Sequence, residues 1–136
     1  MVQESPLDLA FRFVECINRR NLEGLADLMA DDHVFIDLSG EVHHQREGLI
    51  EDWRSYFTQF PDYMIHLAEA YILGDTIALI GRTTGSHAGQ PRQEEFQGTI
   101  IWVAEIDQGK LRRWQLLDDT ARNRTTLGLD AAQRIA

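Results

Sequence analysis

The strongest constraint on the fold is a change of periodicity at Pro61. Before it, apolar residues recur every three or four positions; after it, they alternate or run on between tight turns. Leu7, Phe11, Val14 and Ile17, widened by Ala10 and Phe13, predict a helix opened by Ser5-Pro6, a capping residue followed by proline. Arg19 and Arg20 suit the C-terminal end of that helix dipole. Asn21 predicts the cap of a second, shorter helix holding Leu22, Leu25, Leu28 and Met29. Residues 33–38 are rich in strand formers, and Ser39-Gly40 closes them as a turn. Leu49, Ile50, Trp53 and Phe57 share one side of a third helix expected over 46–59, stopped by Phe60-Pro61-Asp62.

Beyond Pro61 the pattern predicts strands over 63–73, 76–87, 93–106 and 111–117. Gly74-Asp75, a loop over 88–91 and Asp107-Gln108-Gly109 join them. A polar helical tail carrying Leu127 and Leu129 follows. The order α-α-β-α-β-β-β-β implies an α+β fold in which N-terminal helices wrap an antiparallel sheet. Strands this long in a short chain must bend, and Gly81, Gly85 and Gly98 stand where bulges and curvature are permitted. A bent sheet closed by helices makes a cone with a hollow interior. No repeat or linker interrupts residues 1–136, so a single domain is expected.

Charge narrows the partners. Thirteen Lys and Arg oppose twenty-two Asp and Glu, a net −9 that repels phosphate backbones and anionic lipid. Nucleic acid and membranes are therefore not expected partners. No basic-then-apolar leader opens the chain and no run is long and apolar enough to span a bilayer, so a cytoplasmic location is expected. Cys16 is the only cysteine; it excludes an intrachain disulfide and reads as buried helix filler. Neither a glycine-rich dinucleotide motif nor a phosphate loop is present, and no cofactor is expected. His33, Asp37, His43 and His44 combine imidazole and carboxylate, but adjacent histidines point apart and no facial ligand pattern occurs, so no metal is expected.

Several strings, in order, resemble one family. Residues 18–38 (NRRNLEGLADLMADDHVFIDL) are similar to the helix-helix-strand opening of ketosteroid isomerases and their SnoaL-like relatives. Thr84-Gly85-Ser86-His87-Ala88-Gly89 resembles a glycine-histidine-glycine hairpin of SnoaL-like sequences. Gly109-Lys110-Leu111, Trp114 to Asp118 and Thr126-Leu127-Gly128-Leu129 resemble that family's last strand and C-terminal ending. The resemblance implies the nuclear-transport-factor-2-like superfamily, a cystatin-like roll. It also implies a homodimer formed through the outer sheet face. Residues 93–105, with Ile101 and Val103 opposite Ile100 and Trp102, are apolar on both faces, as such pairing requires. The superfamily holds enzymes and non-enzymes, so fold alone does not assign function.

The candidate site residues follow. By alternation Asp37 shares a strand face with Phe35 and His33. The resemblance places it where the isomerases carry their proton-shuttling carboxylate; an apolar setting would raise its pKa and suit it as a base. The alternative is an acid near a turn that bonds local backbone groups. Alternation also puts Asp118 with Trp114 and Leu116. The resemblance makes Asp118 a cyclase-like acid/base; the alternative is a strand-end acid capping the next helix. Facing each other across one pocket, the two would form an acid–base pair. Arg82 and His66 are expected to stabilise developing negative charge, and Arg82 needs an acid partner if buried. Phe13, Phe35, Trp53, Tyr56, Trp102, Trp114 and Leu116 are expected to wall a small apolar ligand.

The family's oxyanion donors are missing: the isomerase tyrosine falls at Phe13, no acid stands near 99–101, and no histidine lies in 93–106. The leading expectation is a cofactor-free isomerase, cyclase or lyase acting on a small apolar carbonyl compound. Epoxide hydrolysis and a non-catalytic ligand-binding or dimerising module are the alternatives.

Overall fold

The computed structural model describes residues 4–85 and 98–135, the side chain of Ala131 excepted. Helix α1 spans Pro6–Asn18, capped by the Ser5 hydroxyl, which accepts from the amide of Asp8 at 3.1 Å. It buries Ala10, Phe13, Val14 and Ile17, as expected from the spacing, together with Leu9. Phe11, expected on that face, is exposed, and Leu7 is only half-buried, because the buried stripe turns toward Leu9. Arg20 turns the chain in the left-handed region, φ 56°, and its guanidinium ties to the carbonyls of Asn18 and Pro61. Asn21 then caps α2, Leu22–Leu28, through the amide of Gly24 at 2.9 Å. Strands β1, Met29–Ile36, and β2, Val42–His43, precede α3, Arg46–Gln59. The meander follows: β3 Met64–Leu73, β4 Thr76–Thr84, β5 Ile100–Asp107 and β6 Lys110–Asp118. Helix α4, Ala121–Leu127, a 3-10 turn over Leu129–Ala131 and β7, Gln133–Arg134, end the described chain. Residues 86–97, with the expected loop over 88–91, much of the glycine-histidine-glycine string and the start of the expected strand over 93–106, lie outside the described residues.

One curved, seven-stranded sheet has the order β2-β1-β6-β5-β4-β3-β7. It is mixed, not wholly antiparallel as expected. β1 runs parallel to β6, with Phe35 opposite Trp114, while every other neighbouring pair is antiparallel. The long connection through α3 and the meander makes that parallel return possible. Register shifts between Leu67 and Glu69, between Glu105 and Ile106, and between Met29 and Val34 break the ladders. Gly81 sits opposite the first of these; a Cβ there would lie 2.0 Å from the carbonyl oxygen of His66. Only glycine allows that approach.

The sheet has two apolar faces. Helix α1 lies across β3 to β6 on the inner face, where Phe13, Ile17, Ile77, Leu79, Trp102 and Trp114 form the main core. On the outer face Tyr71, Ala78, Ile80, Ile101 and Val103 pack under Leu129, with Leu127 and Ala132 against them. The face that the sequence offers to a second chain thus has an intrachain cover. Arg124 of α4 anchors that cover. It donates to Asp119 at 2.7 and 3.0 Å and to Glu69 of β3 at 3.1 and 3.3 Å. Among the described residues no helix is long and apolar enough to cross a membrane.

Candidate functional site

A cavity opens between α3 and the inner sheet face. Helix α3 supplies Leu49, Asp52, Trp53 and Tyr56, which at spacings of three, four and seven share one helix face. Phe35 of β1, His43 of β2, Trp102 of β5, and Trp114 and Leu116 of β6 form the facing wall, and Tyr63 closes the α3–β3 junction. Counting its open mouth, the space is about 640 Å³. The rings brace one another: Trp53 lies 6.1 Å from Tyr56 and 6.4 Å from Phe35, and Tyr56 stands edge-on to Tyr63 at 5.0 Å. Phe35, Trp53, Tyr56, Trp102, Trp114 and Leu116 therefore border the space, as the sequence suggests. Phe13 does not. It is fully buried behind the wall, 4.8 Å from Trp114, and serves the core.

Asp37 is not on the strand. β1 ends at Ile36, and Asp37 begins the turn into β2. Its carboxylate accepts from the Ser39 amide at 2.9 Å, the Ser39 hydroxyl at 2.5 Å and the Glu41 amide at 3.1 Å, as aspartate does when it can bond its own turn. The other oxygen meets His43 Nε2 at 2.9 Å. These bonds, His43 foremost, hold the Asp37 pKa down to about 2. That reverses the expected rise: the acid is bonded and partly solvated, not stranded in a dry hollow. The same bond raises the pKa of His43, with the charges of Glu41 and Asp52 adding to it.

Asp118 ends β6 exposed to solvent and is not among the residues lining the cavity. Alternation holds for Trp114 and Leu116, but one step further the strand has run past the wall. The carbonyl of Asp118 accepts from Asn123, and Thr120, not Asp118, caps α4. The expected Asp37–Asp118 pair across the pocket therefore does not assemble. Arg82 is exposed and stands opposite His66 on β3. It shares its face with Ile80, which belongs to the outer cluster, so neither Arg82 nor its cross-strand neighbour His66 borders the cavity. His66 Nε2 instead meets the Thr84 hydroxyl at 2.8 Å. His33 is buried and bonds the Leu111 carbonyl at 2.7 Å through Nδ1; burial lowers its pKa and keeps it neutral.

Two polar cavity residues escaped the sequence argument. The sequence presents His43 only as a metal-ligand type; the turn at Ser39-Gly40 brings it back onto Asp37. For Asp52 the available signal is its spacing from Leu49 and Tyr56, which marks the cavity face of α3. Among the described residues Asp37, Glu41 and His43 form one group whose ligand atoms lie within 4.8 Å of one another, a set of the right chemistry for a divalent cation. The Asp37–His43 bond already satisfies two of the three.

Residues 10–114 match the family model of the SnoaL-like domain. No curated protein matches the chain. Among solved structures, an uncharacterized cystatin-fold protein from Novosphingobium aromaticivorans is 20% identical with a TM-score of 0.73, covering 83% of this chain and 97% of that one. A candidate polyketide cyclase from Streptomyces antibioticus is 22% identical with a TM-score of 0.69, covering 92% and 99%. A candidate ketosteroid isomerase from Kribbella flavida is 20% identical with a TM-score of 0.67, covering 85% and 78%. At these identities the likeness is one of fold.

Proposed function

The chain belongs to the SnoaL-like domain family, and we propose that it is a cofactor-free acid–base enzyme of the isomerase or cyclase kind, acting on a small apolar carbonyl compound. One observation carries this reading: a histidine held by a carboxylate borders a cavity whose wall is otherwise mostly aromatic and aliphatic. His43, not Asp37 or Asp118, is the base. With Nε2–H donated to Asp37, Nδ1 is the nitrogen left to take a proton. It removes one from the carbon beside the carbonyl. The electron pair of the broken C–H bond moves to the oxygen as an enolate, and the imidazolium then returns the proton to another carbon or to the oxygen. Asp37 keeps the ring in one tautomer and stabilises its charged form. Asp52, on the opposite wall, favours the same charged form through its own charge.

The test is proton exchange. The protein incubated with β-tetralone in heavy water should speed deuterium entry beside the carbonyl, followed by proton NMR. His43→Ala should lower that rate by about 10². Undiminished exchange in the variant removes the proposal. A second reading, a binding module without turnover, is supported by the placement of Arg82 and Asp118 away from the cavity. It is the outcome if the ketone binds but does not exchange.

A further inference from the structure

Tyr63 presents a polar atom that the fold does not use. The residue is only 6% exposed and stands at the α3–β3 junction on the cavity wall. Among the described residues its hydroxyl has no hydrogen-bond partner. Tyr71, the other buried tyrosine, shows the ordinary arrangement: its hydroxyl donates to Glu69 at 2.6 Å. Buried polar atoms in folded proteins are nearly always paired, because losing water without a replacement costs stability. Among the described residues, the unpartnered side-chain atoms that are wholly enclosed are Arg46 Nε and Arg113 Nε. The Tyr63 oxygen is not among them, so it is not wholly enclosed, and Tyr63 is one of the residues that line the cavity.

Packing does not explain the oxygen. The ring meets Tyr56 edge-on at 5.0 Å, a contact that phenylalanine would make equally well. Burial, with Tyr56 adding to it, pushes the phenol pKa far above neutrality, so the group stays protonated and able to donate. Tyr56 is half-buried on the same wall, and its hydroxyl also lacks a partner among the described residues.

We infer that the Tyr63 hydroxyl, assisted by that of Tyr56, is the donor for an acceptor oxygen of the molecule the cavity holds, and that it makes the pocket select a carbonyl compound over a hydrocarbon of the same shape. The donor then comes from the α3–β3 junction and not from α1, where Phe13 has no hydroxyl to give. The inference rests on the cavity being a ligand site, as proposed above, but not on the chemistry of His43.

The experiment compares β-tetralone with tetralin, which has the same two rings and no oxygen, by quenching of tryptophan fluorescence from the cavity wall. Tyr63→Phe should shift the ratio of the two dissociation constants toward tetralin by about tenfold. The ligand-free variant should melt no lower than the parent, since no bond inside the protein is lost. An unchanged ratio overturns the inference. So does a lower melting temperature, which would show that the hydroxyl serves the fold. Quenching by neither compound overturns the ligand site as well. Ketone binding that persists in His43→Ala separates a failure of proton transfer from a failure of the donor.

Discussion

His43 Nε2 and a carboxylate oxygen of Asp37 lie 2.9 Å apart at the edge of an aromatic cavity. The bond lowers one pKa to about 2 and raises the other, so both groups are charged between that value and the raised pKa of His43. The base form exists only above this window. Exchange of β-tetralone should therefore rise with pH along an acid limb set above the ordinary histidine value of about 6.5. Asp37→Asn removes the charge that holds the proton. The limb should move to lower pH while the plateau falls by about tenfold or more, because the tautomer is no longer held. A pH–rate profile of the two proteins checks this; an unmoved limb assigns the titration to another group.

The pair also links pH to stability. The folded pKa of His43 is raised, so its contribution is complete below about 6.5 and is lost as pH rises through the folded value. The folded pKa of Asp37 is depressed, so its contribution is complete above about 4 and is lost as pH falls toward about 2. Melting temperatures of the parent and His43→Gln should differ most between those limits and converge outside them.

Leu129 covers the outer sheet face, packed with Ala78, Ile80, Ile101 and Val103. Leu129→Ala should cost about 2–3 kcal/mol in urea unfolding, the usual loss for a buried leucine. Leu129→Asp should go further, lifting the tail and exposing aliphatic surface. Increased dye binding and self-association on a sizing column are the expected signs. Unchanged behaviour of both variants would mean that the tail does not hold that face.

Arg124 joins α4 to β3 through Asp119 and Glu69, whose side chains are 9% and 20% exposed. Both carboxyl pKa values are lowered, with Arg124 the first cause for Asp119 and the second, after the Tyr71 hydroxyl, for Glu69. Arg124→Ala leaves two shielded carboxylates without their cation and should cost about 2 kcal/mol at neutral pH. The sign with pH follows from the depressed values: the parent's advantage is present above about 4 and is lost as pH falls below that. Denaturant midpoints at pH 7 and pH 3 measure it.

Gly81 faces the backbone of His66 so closely that a methyl group would overlap the carbonyl oxygen at 2.0 Å. Gly81→Ala should force β4 off β3 and cost about 3 kcal/mol, the upper range for overpacking. Gly48, with open space at its Cβ position, is the control. Gly48→Ala in the first turn of α3 should be neutral or stabilising by about 0.5 kcal/mol.

Local pattern carried most of the architecture. Helix α3 runs from Arg46 to Gln59, the span expected from the sequence, because its apolar spacing and its stop at Phe60-Pro61 are both local signals. The cap of α1 at Ser5 and that of α2 at Asn21 are local in the same way. β1 was harder. It begins at Met29, four residues before the expected start, because Met29 pairs with Leu111 more than eighty positions away. β7 is two polar residues long and exists only through its pairing with Tyr71 and Ile72.

The types of the longer elements, the bend at Gly81 and the aromatic character of the cavity wall are legible in the residues alone, since periodicity, glycine sterics and side-chain chemistry act over a few residues, whereas the two-residue strands β2 and β7 are not. Tertiary structure decided which of two equivalent strand faces turns inward, and so sent Arg82 and His66 to the outer side while bringing Trp102 and Trp114 to the cavity. It also decided that Asp37 bonds its own turn and His43. Alternation defines two faces but not what covers each, and that is set by which distant segments pack there.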